Sequence, residues 1–166
     1  MKSSTKAFSQ ALREKSPKVA VIGAGAAGLA VARVMQRAGI DQVLVLEKDT
    51  AIGGVWNYTE AAKDRPMYQG LRTNLPKEVM GYREYPFPKE FTKSFLTHRQ
   101  VCQYLKGYRD HFNLKVQYGC AVNKLKVLVG EKSCVDHSSG DKPWPRIQLE
   151  WTDGPNQQEK EDVFDA

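Results

Sequence analysis

The sequence predicts an α/β fold, a βαβ unit with a parallel sheet followed by a small antiparallel β-meander, on three observations. A glycine-rich turn, Gly23-Ala24-Gly25-Ala26-Ala27-Gly28, joins a β-branched apolar run to a stretch with helical apolar spacing. A second apolar run closes on an acidic residue, Glu47, 19 residues after the last glycine of that turn. Beyond Leu114, short strand-like segments alternate with turn residues.

The 166 residues match one domain on the usual scale of about 100 to 200 residues each. Hydrophobic content of 41% against 27% charged supplies a core and excludes global disorder. The formal charge of +6 is concentrated at the start, where Lys2, Lys6, Arg13, Lys15 and Lys18 face Glu14 alone. Residues 1–17 therefore read as a basic, flexible leader, and no nucleic-acid partner is expected. Cys102, Cys120 and Cys134 are an odd number without paired spacing, so neither a disulfide framework nor a metal site is predicted. A reducing compartment, the cytoplasm, is the default. His98, His111 and His137 are equally scattered and read as surface or core residues.

Val19 to Ala32 is uncharged, which raises the alternative of a secretory signal. The run is 14 residues long and holds three glycines, too short for a membrane span and too glycine-diluted for a signal core.

Taken in order, Lys18-Val19-Ala20-Val21-Ile22 reads as a strand buried on both faces of a parallel sheet. The glycine turn follows, then a helix whose apolar positions are Leu29, Ala32, Val34, Met35 and Ala38, stopped by Gly39. Val43 to Leu46 form the second buried strand, ending in Glu47. This is a Rossmann-like dinucleotide-binding pattern with a physical reason at each position. Gly23 permits the tight turn, Gly25 lets a diphosphate approach the backbone, and Gly28 lets helix and strand pack closely. The helix N-terminus holds the diphosphate with free N–H groups and its partial positive charge, and Ala24, Ala26 and Ala27 complete the cofactor-binding turn. Glu47 accepts hydrogen bonds from ribose hydroxyls and repels a 2′-phosphate, which favours FAD or NAD over NADP at this site.

Gly53-Gly54-Val55-Trp56-Asn57 then bring adjacent glycines into the loop after Glu47. Leu71-Arg72-Thr73-Asn74-Leu75-Pro76-Lys77-Glu78-Val79-Met80-Gly81-Tyr82 and Tyr85-Pro86-Phe87-Pro88 follow. With these segments the sequence resembles the flavin-containing monooxygenase family, over roughly Lys18 to Leu114. The resemblance implies that FAD fills the first site. NADPH then reduces the flavin, dioxygen adds to give a C4a-hydroperoxide, and oxygen passes to a soft nitrogen or sulfur of a small amine or thioether. It further implies that Gly54, Val55 and Trp56 lie along the FAD and that Thr73 and Asn74 approach the flavin. Asn74 is the one catalytic candidate, because its amide both donates and accepts without adding charge. An Asx turn before Pro76 is the structural alternative. An NAD-binding oxidoreductase module and a non-catalytic Rossmann scaffold remain as competing functions.

Thr97-His98-Arg99-Gln100 has the form of a capping box ahead of Val101, Leu105, Tyr108 and Phe112, so a core-packing helix is predicted, with Tyr104 and Tyr108 as core rather than cofactor contacts. Segments 116–118, 121–129, 146–151 and 159–164 read as strands of the meander, with turns at Ser138 to Asp141 and Asp153 to Pro155. Val163 to Ala166 resemble the opening of another buried strand. No second glycine fingerprint occurs among the 13 glycines, so residues 18–166 are expected to be the N-terminal portion of an FAD-binding domain, incomplete at the C-terminus and without the NADPH domain. Membrane association, at the endoplasmic reticulum in the family, is left open.

Overall fold

The computed structural model describes residues 16–60, 67–128, 146–154 and 157–166. Most of the leader, Cys134, His137, the Ser138 to Asp141 turn and Pro155 lie outside the described residues.

Strands β1 (Lys18–Ile22), β2 (Gln42–Glu47) and β3 (Val116–Tyr118) form a parallel sheet in the order β1-β2-β3. Lys18 aligns with Gln42 and Ile22 with Leu46, while Val45 aligns with Val116 and Glu47 with Tyr118. Strands β4 (Cys120–Leu128), β5 (Arg146–Asp153) and β6 (Gln158–Phe164) form an antiparallel sheet in chain order. The segment 116–118, expected in the meander, instead extends the parallel sheet. Gly119, at φ +72°, then turns the chain into the second sheet, its N–H held by the Asp49 carbonyl at 3.1 Å.

Side-chain alternation along the parallel strands assigns each face a separate core. Val21 and Val45 pack with Leu29, Ala32, Leu105 and Tyr108, on the side covered by α1 (Ala26–Arg37) and the helix 98–111. Ala20, Leu44 and Leu46 pack on the opposite side against Cys120, Leu149, Trp151 and Phe164 of the meander. The near-continuous apolar character of β1 and β2 follows from burial on both faces. In α1 only Leu29 and Ala32 are fully buried, Met35 packs at the edge of the core, and Val34 is 62% exposed. Ala38, expected on the apolar face, is the exposed C-cap, and Gly39 follows at φ +85°.

A 3-10 turn at Gly54–Trp56 and the short helix α2 (Lys77–Met80) precede α3 (His98–His111). Thr97 caps α3: its side chain accepts from the Gln100 N–H, and the Gln100 side chain accepts from the Thr97 N–H at 3.0 Å. Val101, Tyr104, Leu105 and Tyr108 form its buried face. Thr97→Ala is expected to lower stability by about 1 kcal/mol, and Thr97→Ser to retain it, as thermal unfolding of the three proteins checks.

At the other end of the chain, Val163 and Phe164, expected to open a further strand, complete β6, and only the two residues after them continue along the parallel sheet. Asp165 and Ala166 hydrogen-bond along β1: the Asp165 N–H donates to the Lys18 carbonyl at 2.8 Å and the Ala20 N–H to the Ala166 carbonyl at 2.9 Å. Lys18 adds an ion pair with Asp162 and lies 4.6 Å from the Phe164 ring centroid, so the meander is anchored to the outer edge of the parallel sheet.

Candidate functional site

The site begins where β1 stops. Gly23 takes φ +96°, which only glycine adopts without strain, and its N–H donates to the Leu46 carbonyl at 2.8 Å. Gly25 is the N-cap of α1; no side chain caps this end, and the first turn carries no acidic residue. The N–H groups of that turn, at Ala26, Ala27 and Gly28, therefore lack intrahelical partners and lie at the positive end of the helix, where an anion is favoured.

Close packing explains the third glycine. A Cβ on Gly28 would stand 1.9 Å from the Gly23 carbonyl oxygen and 3.5 Å from Val21 Cγ1. The second pair of glycines meets the first: a Cβ on Gly54 would lie 3.1 Å from Gly25 Cα, and the Gly53 N–H donates to the Ala24 carbonyl at 3.0 Å. Gly53 itself, at φ +126°, rests on Cys102, whose Sγ would be 2.9 Å from an added Cβ. Two glycine turns, 30 residues apart in sequence, thus form one continuous backbone surface.

Glu47 closes this surface from the side. It is 4% exposed, and its Oε2 accepts from the Ala24 N–H at 2.6 Å while Oε1 accepts from the Asp49 N–H at 2.8 Å. A carboxylate oxygen offers two lone pairs, so each retains an acceptor position. Beside it opens a cavity of about 690 Å³ between the two sheets, lined by Gly23, Gly25, Glu47, Gly54, Val55 and the Cys120 to Asn123 stretch of β4. That volume is in the range of small-molecule and cofactor sites. Ile22 and Val55, 55% and 54% exposed, place apolar surface at its rim.

The remaining candidates stand elsewhere. Trp56 is half-buried against the helical core and borders a smaller recess of about 230 Å³ with Tyr58 and His98. Thr73 is buried, its N–H donating to the Leu96 carbonyl at 2.8 Å and its Oγ1 accepting from the Leu96 N–H at 3.1 Å. Asn74, next in the chain, is exposed. None of these three lines the large cavity. His98, read from sequence as a surface or core residue, is buried with its ring edge-on to Tyr58 at 5.3 Å. Burial pushes the thiols of Cys102 and Cys120 upward in pKa, against a role as nucleophiles.

Among the described residues no cluster of three or more His, Cys, Asp or Glu side chains is placed to hold a metal, and no helix is long and apolar enough to cross a membrane. The contact that sequence reasoning missed is the one from Glu47 back to Ala24. The spacing marked Glu47 as a ligand residue but carried no sign that it also ties the glycine turn to the loop after β2.

A model of the flavin-binding monooxygenase-like family matches residues 16–166. The chain belongs to this family. A flavin is the cofactor that membership implies, and its members are oxidoreductases. The flavin-containing monooxygenase FMO GS-OX5 of Arabidopsis thaliana is 36% identical over 93% of this chain, which spans 35% of that protein. The putative flavin-containing monooxygenase FMO GS-OX-like 11 of the same plant is 36% identical over 72% of the chain, which covers 83% of that shorter relative. Among solved structures, S-allyl-L-cysteine S-oxygenase from Allium sativum superposes with a TM-score of 0.74 at 30% identity, over 90% of this chain and 35% of the other. The flavin-containing monooxygenase from Stenotrophomonas maltophilia shares the fold at a TM-score of 0.63 and 19% identity, over 86% of this chain and 35% of that one. The chain thus spans about a third of the length of most of these relatives.

Proposed function

We propose that residues 18–166 are the N-terminal portion of an FAD-binding domain in an NADPH-dependent monooxygenase, preceded by a basic leader at 1–17. The observation that carries this reading is the convergence of three features on one cavity: the uncapped N-terminus of α1, the Gly25–Gly54 backbone contact and the Glu47 carboxylate. A side chain at Gly54 would crowd Gly25, at 3.1 Å from its Cα, so the surface suits a ligand that lies flat on backbone. FAD fits the donor set. The N–H groups of the first turn of α1 would hold its diphosphate, Glu47 its ribose hydroxyls, and Gly54 and Val55 would flank the path toward the flavin.

FAD, when bound, supplies the two-electron and dioxygen chemistry. The chain's own part is to hold it and to keep water from the reacting end. Trp56 is assigned along the FAD and Thr73 and Asn74 to that reacting end, with the Asn74 amide donating or accepting a hydrogen bond there as the catalytic group. The acidic Glu47 disfavours a 2′-phosphate, so NADPH belongs at a second site, and this sequence carries no second glycine fingerprint for one. The substrate class is a small molecule with a soft sulfur or nitrogen, with sulfur favoured because a structural neighbour at 30% identity is an S-oxygenase. A reducing, cytoplasmic setting suits the free thiols of Cys102 and Cys120.

Purified chain is expected to take up FAD and turn yellow, with bound-flavin absorbance surviving gel filtration, and to show no steady NADPH oxidation with sulfoxide formation. Thermal protection by NADH without flavin uptake would favour an NAD-binding module instead, and binding of neither would favour a non-catalytic scaffold.

A further inference from the structure

The segment between α2 and Pro88 carries a chain of hydrogen bonds that the flavin reading does not use. The Tyr82 hydroxyl donates to the Ala26 carbonyl at 2.6 Å, and Ala26 is the first residue of α1. The Tyr82 N–H donates to the Tyr104 hydroxyl at 2.7 Å, and that hydroxyl donates onward to the Tyr85 carbonyl at 2.6 Å. Tyr104 lies on the buried face of α3, its ring 3.9 Å from Phe87 and 5.8 Å from Tyr82 between centroids. The Tyr82 ring also meets Tyr108 at 4.4 Å.

In an α-helix the carbonyl of residue 26 accepts the N–H four residues on, so the backbone is satisfied without Tyr82. The tyrosine uses the spare lone pair. Ring packing alone would fill the space between α1 and α3; the hydroxyl adds a fixed direction and length. What it fixes is the place of the first turn of α1, whose N–H groups form the anion site. Burial keeps both hydroxyls protonated, pushing Tyr104 up to about 12 and Tyr82 upward as well, so the two donors persist through the physiological range.

We propose that Tyr82 is a positioning residue for the diphosphate: its hydroxyl on the Ala26 carbonyl and its N–H on Tyr104 set the first turn of α1 against α3 and the 81–87 segment. The role rests on the reading of this cavity as a dinucleotide site.

Tyr82→Phe removes one oxygen and keeps the ring. In the full 166-residue chain, dissociation constants are measured for FAD, for ADP and for adenosine, which lacks the diphosphate. Loss of one directed hydrogen bond predicts that FAD and ADP weaken about five- to tenfold while adenosine is unchanged. The preference for ADP over adenosine then shrinks by the same factor, a ratio that a purely structural tyrosine would leave alone. Tyr104→Phe frees the Tyr82 N–H and shifts the ratio in the same direction; it decides the matter if circular dichroism shows Y82F unfolded. An unchanged ratio overturns the positioning role, whether all three constants hold or all three weaken together. A wild-type chain that binds neither FAD nor ADP overturns the flavin reading and the positioning role with it.

Discussion

Gly28→Ala is expected to abolish flavin uptake and to lower stability by about 3 kcal/mol, a fall in Tm of roughly 10 °C. Two effects oppose each other at this position. Alanine gains up to about 1 kcal/mol of helix propensity over glycine. Against that, its Cβ would stand 1.9 Å from the Gly23 carbonyl oxygen, and the obstacle is backbone. The Gly23 carbonyl cannot swing aside like the end of a flexible side chain, since it shares a planar peptide group with the Ala24 N–H, which is held by Glu47 Oε2 at 2.6 Å. Steric exclusion therefore wins, and the turn that opens onto the cavity moves with it. Gly70→Ala is the control, because an added Cβ there meets nothing within 4 Å. Thermal unfolding with and without FAD separates the two variants: Gly70→Ala should retain both its Tm and its FAD-induced rise, and Gly28→Ala should lose both.

Glu47→Ala should cost stability and affinity together. Its carboxylate is the acceptor for two backbone N–H groups, of Ala24 and Asp49, at a position only 4% exposed. Removing it leaves two donors to find water or go unpaired, at about 1 to 3 kcal/mol each when buried. The same change takes away the acceptor assigned to the ribose hydroxyls, so FAD affinity should fall at least about tenfold. Glu47→Gln distinguishes the two jobs. Its amide oxygen can serve one of the N–H groups, but its NH2 end meets the other as donor against donor. Chemical denaturation should then rank wild type above Gln above Ala. A Gln variant with wild-type stability and wild-type affinity would show that the carboxylate performs neither job.

The strand–turn–helix half of the molecule was legible because its signals are short-range. Glycines at 23, 25 and 28 sit between a strand and a helix, and one helical turn or one strand length fixes what each must do. The α3 cap was legible for the same reason, since Thr97 and Gln100 are three residues apart. The sheet to which 116–118 belongs was not. Three residues of alternating character pair equally well in either sheet, and the partner that decides, Val45, lies 71 residues upstream. Val34 was misread because the five apolar candidates, Leu29, Ala32, Val34, Met35 and Ala38, spread around more of the helix than the stripe that the sheet covers. The two contacts that organise the candidate site, Glu47 to Ala24 and Tyr82 to Ala26, join residues 23 and 56 apart, and no local pattern encodes them. The resemblance that brought Thr73 and Asn74 into the site concerns a ligand's far end. The chain alone shows Thr73 held by Leu96 and Asn74 facing solvent.

The meander covers the outer face of the parallel sheet where a doubly wound fold would carry helices, and the large cavity opens in the seam between those layers, with Leu46 on one side and Cys120 to Asn123 on the other. A molecule seated in that seam would touch both layers and add its contacts to the apolar cluster and the β1-edge hydrogen bonds that already join them. Occupancy would thereby brace the joint between the layers, and a filled seam should resist unfolding more than an empty one.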